Sequence, residues 1–204
     1  MIKRAFYMFV FFSAMFFCIP ANLFAAAETH DRFYLNFQLG AGYGETTLEE
    51  SGDDDFIMDG TTGVFRIKAG GAPADNFIIY GVYGAYSIED PDYEYGSVSG
   101  TMKETTITYY DLGVGVCYYF MPINIYISAD IASTKGTLEM YDETADTERG
   151  ASFTLSVGKE WWVSDDWGLG VALILSGASM DDEGNSDITV SHSFFGVAFT
   201  ATYN

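Results

Sequence analysis

"FYLNFQLGAGY", residues 33–43, decides how the rest of the chain is read. Phe33, Leu35, Phe37, Leu39, Ala41 and Tyr43 fall on one face; Tyr34, Asn36, Gln38, Gly40 and Gly42 fall on the other. A repeat of two marks a β-strand whose faces meet different surroundings. The second face is the unusual one. Strands facing bulk water are rich in Lys, Glu and Arg, whereas this face is built of small and uncharged groups, which suit a narrow interior where facing side chains meet.

The same alternation recurs in about eight runs, at 33–44, 62–70, 77–88, 105–120, 123–134, 151–163, 167–179 and 189–203. Run 105–120 alternates Tyr110, Leu112, Val114, Val116 and Tyr118 with Tyr109, Asp111, Gly113, Gly115 and Cys117. Run 77–88 is apolar on both faces, so its phase stays unassigned. Many of the runs reach about ten residues, enough to cross a bilayer at a tilt.

The connections between runs alternate between long and short. The long ones are 45–61, 89–104, 135–150 and 180–188; the short ones are 71–76, 121–122 and 164–166. Outer-membrane barrels pair longer extracellular loops with short periplasmic turns. The long connections also hold 21 of the 29 acidic residues, including "EESGDDD" and "EDPDYE". Around the short turns the expectation is a periplasmic aromatic girdle of Trp161, Trp162, Trp167, Tyr118, Phe120 and Tyr203. There an apolar ring meets lipid while an N–H or O–H reaches water. A carbohydrate-stacking platform is the other reading of the three tryptophans, but aromatics elsewhere in the chain share their level.

The first 27 residues read differently. Lys3 and Arg4 precede an apolar core from Ala5 to Ile19, then Pro20 and the A-x-A pattern of Ala25 and Ala27. This predicts a secretory signal peptide over 1–27 and a barrel domain over 28–204. Cleavage after Ala27 leaves seven basic and 29 acidic residues, a net charge of −22. Such a charge excludes nucleic acid as a partner, because phosphate binding needs Lys and Arg. It also leaves Cys117 as the sole cysteine, so an internal disulfide cannot hold the fold.

The fold expected is therefore all-β, an eight-stranded antiparallel up-and-down transmembrane β-barrel. Closure pairs every backbone group that lipid would leave unpaired. The pattern resembles the OmpA/OmpX-type small outer-membrane barrels, and more broadly the outer membrane protein beta-barrel domain family, over nearly the whole mature chain. That resemblance implies an integral outer-membrane monomer surrounded by lipid and lipopolysaccharide. It also implies handling by the barrel assembly machinery through the C-terminal strand "GVAFTATYN", where Phe199 and Tyr203 supply aromatics. Asn204 follows Tyr203, a departure from the usual final aromatic.

If the apolar face meets lipid, Arg66, Lys68, Asp111, Asp130 and Glu160 point into the lumen. Charges there must be paired or hydrated. The expectation is that Arg66 and Lys68 pair with Asp111, Asp130 or Glu160 and block ion flow; hydrated charges in a leaky lumen are the alternative. Ser191, His192 and Ser193 put a nucleophile beside a base, but adjacent residues of a strand face opposite ways, so no catalytic residue and no enzyme is expected. His30 has no evident partner. Asp53, Asp54, Asp55 and Asp59 lack the spacing of a defined calcium site and read as a solvated loop. No cofactor or metal is expected. The function that follows is structural, in envelope integrity or adhesin-like surface interaction through acidic extracellular loops; the alternative is a small passive pore for ions or small solutes.

Overall fold

A computed structural model describes residues 29–50, 54–141, 143–185 and 187–204. The segment read as a signal peptide lies outside the described residues. Eight long strands form the wall: β1 (Phe33–Glu50), β2 (Phe56–Ala74), β3 (Phe77–Glu89), β6 (Thr105–Phe120), β7 (Ile125–Met140), β9 (Gly150–Trp162), β10 (Trp167–Asp181) and β11 (Ile188–Tyr203). Each pairs antiparallel with its neighbour along the chain. The sheet closes because β1 pairs on its other side with β11, from Leu35 opposite Tyr203 to Glu50 opposite Ile188.

The wall sorts its side chains as a barrel in lipid must. Leu39, Leu112, Val114, Ile131, Leu173, Leu175, Phe195 and Phe199 all point outward and are exposed. The inward positions alternate with them and are buried. In β3, where the sequence left the phase open, Ile78, Tyr80, Val82, Tyr86 and Ile88 face inward and Ile79 and Tyr83 face out. Both faces of that strand carry rings and aliphatic side chains, so alternation could not distinguish them.

Small residues make room for those rings. A Cβ at Gly158 would lie 2.6 Å from the Tyr126 hydroxyl, and one at Gly115 would lie 2.6 Å from Cζ of Tyr80. Gly115 and Gly158 are thus the clearance for the tyrosines paired opposite them on the neighbouring strands.

The strands overshoot. About ten residues suffice to cross, yet β1 has 18 and β2 has 19. Their pairing continues to Leu48 opposite Phe56. Beyond the end of β3, β2 pairs instead with β4 (Asp92–Tyr95), which forms a hairpin with β5 (Val98–Thr101). A short strand, β8 (Glu143–Asp146), folds back on β7. The expectation of open loops at 45–61, 89–104 and 135–150 is corrected: each carries strand. Their charges obscured it. Beyond the lipid the outward face meets water, so Glu45, Glu49 and Glu139 sit comfortably outward while Thr46, Met58 and Ile107 continue the buried face.

Asp146 anchors β8. It accepts from Nζ of Lys135 at 2.8 Å and from the Thr137 hydroxyl at 2.9 Å, which holds its carboxyl below the usual carboxylate range. At the other end the connections are tight, with Asn76 and Asn124 in the left-handed region at φ 64° and 51°, a conformation asparagine tolerates.

Replacing Gly158 by Leu should drive a side chain into the Tyr126 ring. Overpacking of this kind costs roughly 1–3 kcal/mol. Heat-modifiable gel migration and a urea titration of the refolded barrel measure the loss; an unchanged midpoint would contradict the packing described.

Candidate functional site: the filled lumen and its two ends

The five inward charges predicted from alternation, Arg66, Lys68, Asp111, Asp130 and Glu160, are all buried. They are not one cluster. Arg66 on β2 crosses the lumen to β7, where Nη2 donates to Oδ1 of Asp130 at 2.5 Å. The Tyr80 hydroxyl donates to the other oxygen of Asp130 at 3.0 Å. Asp111 shares the Gly84 clearance with Arg66: a Cβ there would lie 3.3 Å from Arg66 Nε and 3.5 Å from Asp111 Cβ.

Lys68 takes a different partner. Its Nζ donates to the Ser128 hydroxyl at 3.0 Å and lies 4.9 Å from the centroid of the Tyr80 ring, within cation–π range. Glu160 on β9 is held by hydroxyls. Thr202 donates to Oε1 at 2.6 Å, Thr200 to Oε1 at 3.2 Å and Tyr119 to Oε2 at 3.2 Å. Among the described residues Glu160 has no ion-pair partner. The structure therefore brings together Arg66 and Asp130 directly, places Asp111 beside Arg66, and solvates Lys68 and Glu160 with protein hydroxyls. Charged hydrogen bonds of this kind compensate burial where water is excluded.

Both ends of the lumen are capped by rings. At the short-turn end His30, only 1% exposed, stacks on Tyr119 with centroids 3.6 Å apart and leans on Trp162 at 5.0 Å. Its Nε2 is 3.0 Å from Oδ1 of Asn124. The expectation that His30 lacks a partner is corrected: it lies before β1, but the chain folds it under the barrel. At the other end Tyr109 stacks on His192 at 4.1 Å, and the Thr46 hydroxyl bonds both, at 2.9 Å to Tyr109 and 3.3 Å to His192 Nδ1. Ser193 points outward and is exposed, opposite the buried His192. Between the caps Tyr34, Tyr80, Tyr86, Tyr126 and Phe194 are fully buried and fill the cross-section.

The aromatic positions at the short-turn end divide in two. Trp167 packs edge-on against Tyr203 at 5.4 Å, and Tyr118 against Phe120 at 5.0 Å, on the outer wall. Trp161 also faces outward, with Lys159 Nζ 5.6 Å from its ring. Trp162 does not belong with them. Consecutive strand residues take opposite faces, so with Glu160 inward Trp162 turns under the barrel toward His30. Sequence reasoning missed the His30 cap because its partners lie 46 to 132 positions away; the odd-even phase of Glu160 was a usable signal for Trp162.

A closed, lipid-walled barrel of eight strands with a filled interior is the architecture of the small outer-membrane proteins. The chain belongs to the outer membrane protein beta-barrel domain family, which matches residues 9–201. No curated protein matches it in sequence. Solved structures similar to it include Neisserial surface protein A, 12% identical with a TM-score of 0.48 over 81% of this chain and 95% of that one. The attachment invasion locus protein Ail of Yersinia pestis, in complex with the heparin analogue sucrose octasulfate, is 9% identical with a TM-score of 0.40 over 83% and 99%. The outer membrane protease OmpT from Escherichia coli is 11% identical with a TM-score of 0.43 over 89% and 99%.

Replacing Arg66 by Ala strands the Asp130 carboxylate, and breaking a buried pair costs about 3–5 kcal/mol. Urea unfolding in micelles should show that loss, and Arg66→Ala combined with Asp130→Asn should recover part of it. Burial under the barrel lowers the His30 pKa from its ordinary 6.5. Stability from a neutral His30 is then complete above about 6.5 and declines as pH falls toward the lower folded value. Once the intrinsic pH dependence of exchange is divided out, amide protection at residues 29–32 should fall between pH 7.5 and 5, and His30→Ala should flatten that dependence.

Proposed function

We propose that the protein is a surface-interaction barrel of the outer membrane, with the membrane-spanning wall as anchor and the acidic β-structured end as its working surface. Cleavage after Ala27 delivers residues 28–204 to the periplasm, and the barrel assembly machinery inserts them as a monomer among lipid and lipopolysaccharide. The short turns and the His30 cap then face the periplasm, and the long hairpins face outside.

One observation carries the reading: the chain closes its lumen while extending its strands well past the lipid. Arg66, Asp130 and the buried rings of Tyr34, Tyr80, Tyr86, Tyr126 and Phe194 occupy the space a solute path needs. Meanwhile β1, β2, β4, β5, β7 and β8 build a projection of paired strands that the anchor itself does not require. A surface of ordered strands is preorganised for contact, so less freedom is lost on binding than with loops.

Cells displaying the protein should attach to coated surfaces more than cells lacking it. A variant with residues 90–104 replaced by a two-residue turn should keep heat-modifiable migration and lose that attachment. Equal attachment by the trimmed barrel would contradict the reading, as would display without any effect.

A further inference from the structure

We propose that the outward end of the barrel holds a docking pocket for one aliphatic side chain carried on a cationic polypeptide. The inference rests on the surface-interaction reading and names the partner chemistry of that surface. Above the Tyr109–His192 stack the inward face turns apolar and leaves a cavity of about 70 Å³. Leu48, Met58, Ile107, Leu138 and Val190 form its walls, with Thr46 and Tyr109 below. Ala145, Asp146 and Asp182 stand among its lining, and Ala145 is exposed. Leu48 and Leu138 are only partly buried although they face inward. Two leucines at a half-open cavity leave apolar surface that another apolar group can cover.

Size selects the group. An apolar cavity of about 150 Å³ accepts benzene; one of about 70 Å³ fits a branched aliphatic side chain better than an aromatic ring.

Charge selects the carrier. In the sequence, the four long connecting segments hold 21 acidic residues against three basic ones, Lys103, Lys135 and Arg149. Lys135 is already engaged, at 2.8 Å from Asp146 and 3.8 Å from Glu183. Such a field draws cations toward the mouth and turns acidic partners away. The rim is also firm. Glu148 N donates to the Asp181 carbonyl at 2.8 Å and Glu183 N to the Asp146 carbonyl at 3.2 Å, tying the end of β8 to the end of β10. A leucine or valine flanked by lysine or arginine satisfies both the pocket and the rim.

The test uses the mature barrel in nanodiscs and three labelled pentapeptides: leucine between lysine pairs, glycine between lysine pairs, and leucine between glutamate pairs. Fluorescence polarisation is read at 50 and 500 mM salt, concentrations chosen as roughly one and a half and half a nanometre of screening. The lysine-flanked leucine peptide should bind at least about tenfold tighter than its glycine counterpart and weaken at high salt. The glutamate-flanked peptide should not bind. Ala145→Trp, placed at the exposed mouth, should remove the preference for leucine while heat-modifiable migration stays normal. Leu138→Phe, which fills the cavity from within, should do the same.

Equal binding of the leucine and glycine peptides would reduce the surface to charge alone and overturn the pocket. Salt-independent displacement by a small free hydrocarbon would overturn the polypeptide carrier. If no peptide binds while displayed protein still promotes attachment, the pocket fails and the surface reading stands. Loss of attachment itself would remove both.

Discussion

Backbone closure is the constraint from which the rest of this structure follows. In lipid each unpaired N–H or C=O costs several kcal/mol, so a sheet without a covered edge cannot stay there. The pairing of β1 with both β2 and β11 removes the edge. With eight strands, the circumference that closure imposes leaves an interior about wide enough for side chains. Everything placed inside must then fit. Tyr126 lies over Gly158 and Tyr80 over Gly115; Arg66 meets Asp130; Glu160 collects three hydroxyls. With Cys117 a free, buried thiol, the described fold is held by ladder hydrogen bonds and a fitted interior.

The same constraint explains how the chain divides its labour. Within the lipid span, the outward face must be apolar and the inward face must fill the lumen, so neither is free to vary for binding. Past the lipid the outward face meets water and is released. That is where the acidic residues gather and where β4, β5 and β8 widen the wall into a projection. What such a molecule is free to vary lies at its ends, beyond the lipid span.

Much of this was legible in the sequence, for a physical reason. A membrane barrel writes its environment into every second residue, so Phe33, Leu39 and Tyr43 declared the lipid face and Asn36 and Gln38 the interior. Arg66, Lys68, Asp111, Asp130 and Glu160 could be placed inside by counting alone. Partner choice could not be counted. Whether Lys68 meets a carboxylate or the Ser128 hydroxyl depends on the stagger between strands, which alternation leaves undetermined. The phase of β3 was hidden because both of its faces carry rings and aliphatic side chains, even though Tyr80 meets Asp130 and Lys68 inside. His30 was hidden because it lies outside any strand, and the charged strand extensions because acids disfavour strands except where one face is wet.

Single-channel recording of the refolded mature barrel in a planar bilayer, with insertion verified independently, bears most directly on the filled lumen. An interior closed by the Arg66–Asp130 pair and capped at both ends should give a silent membrane. Steady, reproducible openings from the unmodified protein would contradict it and return the lumen to the role of a solute path.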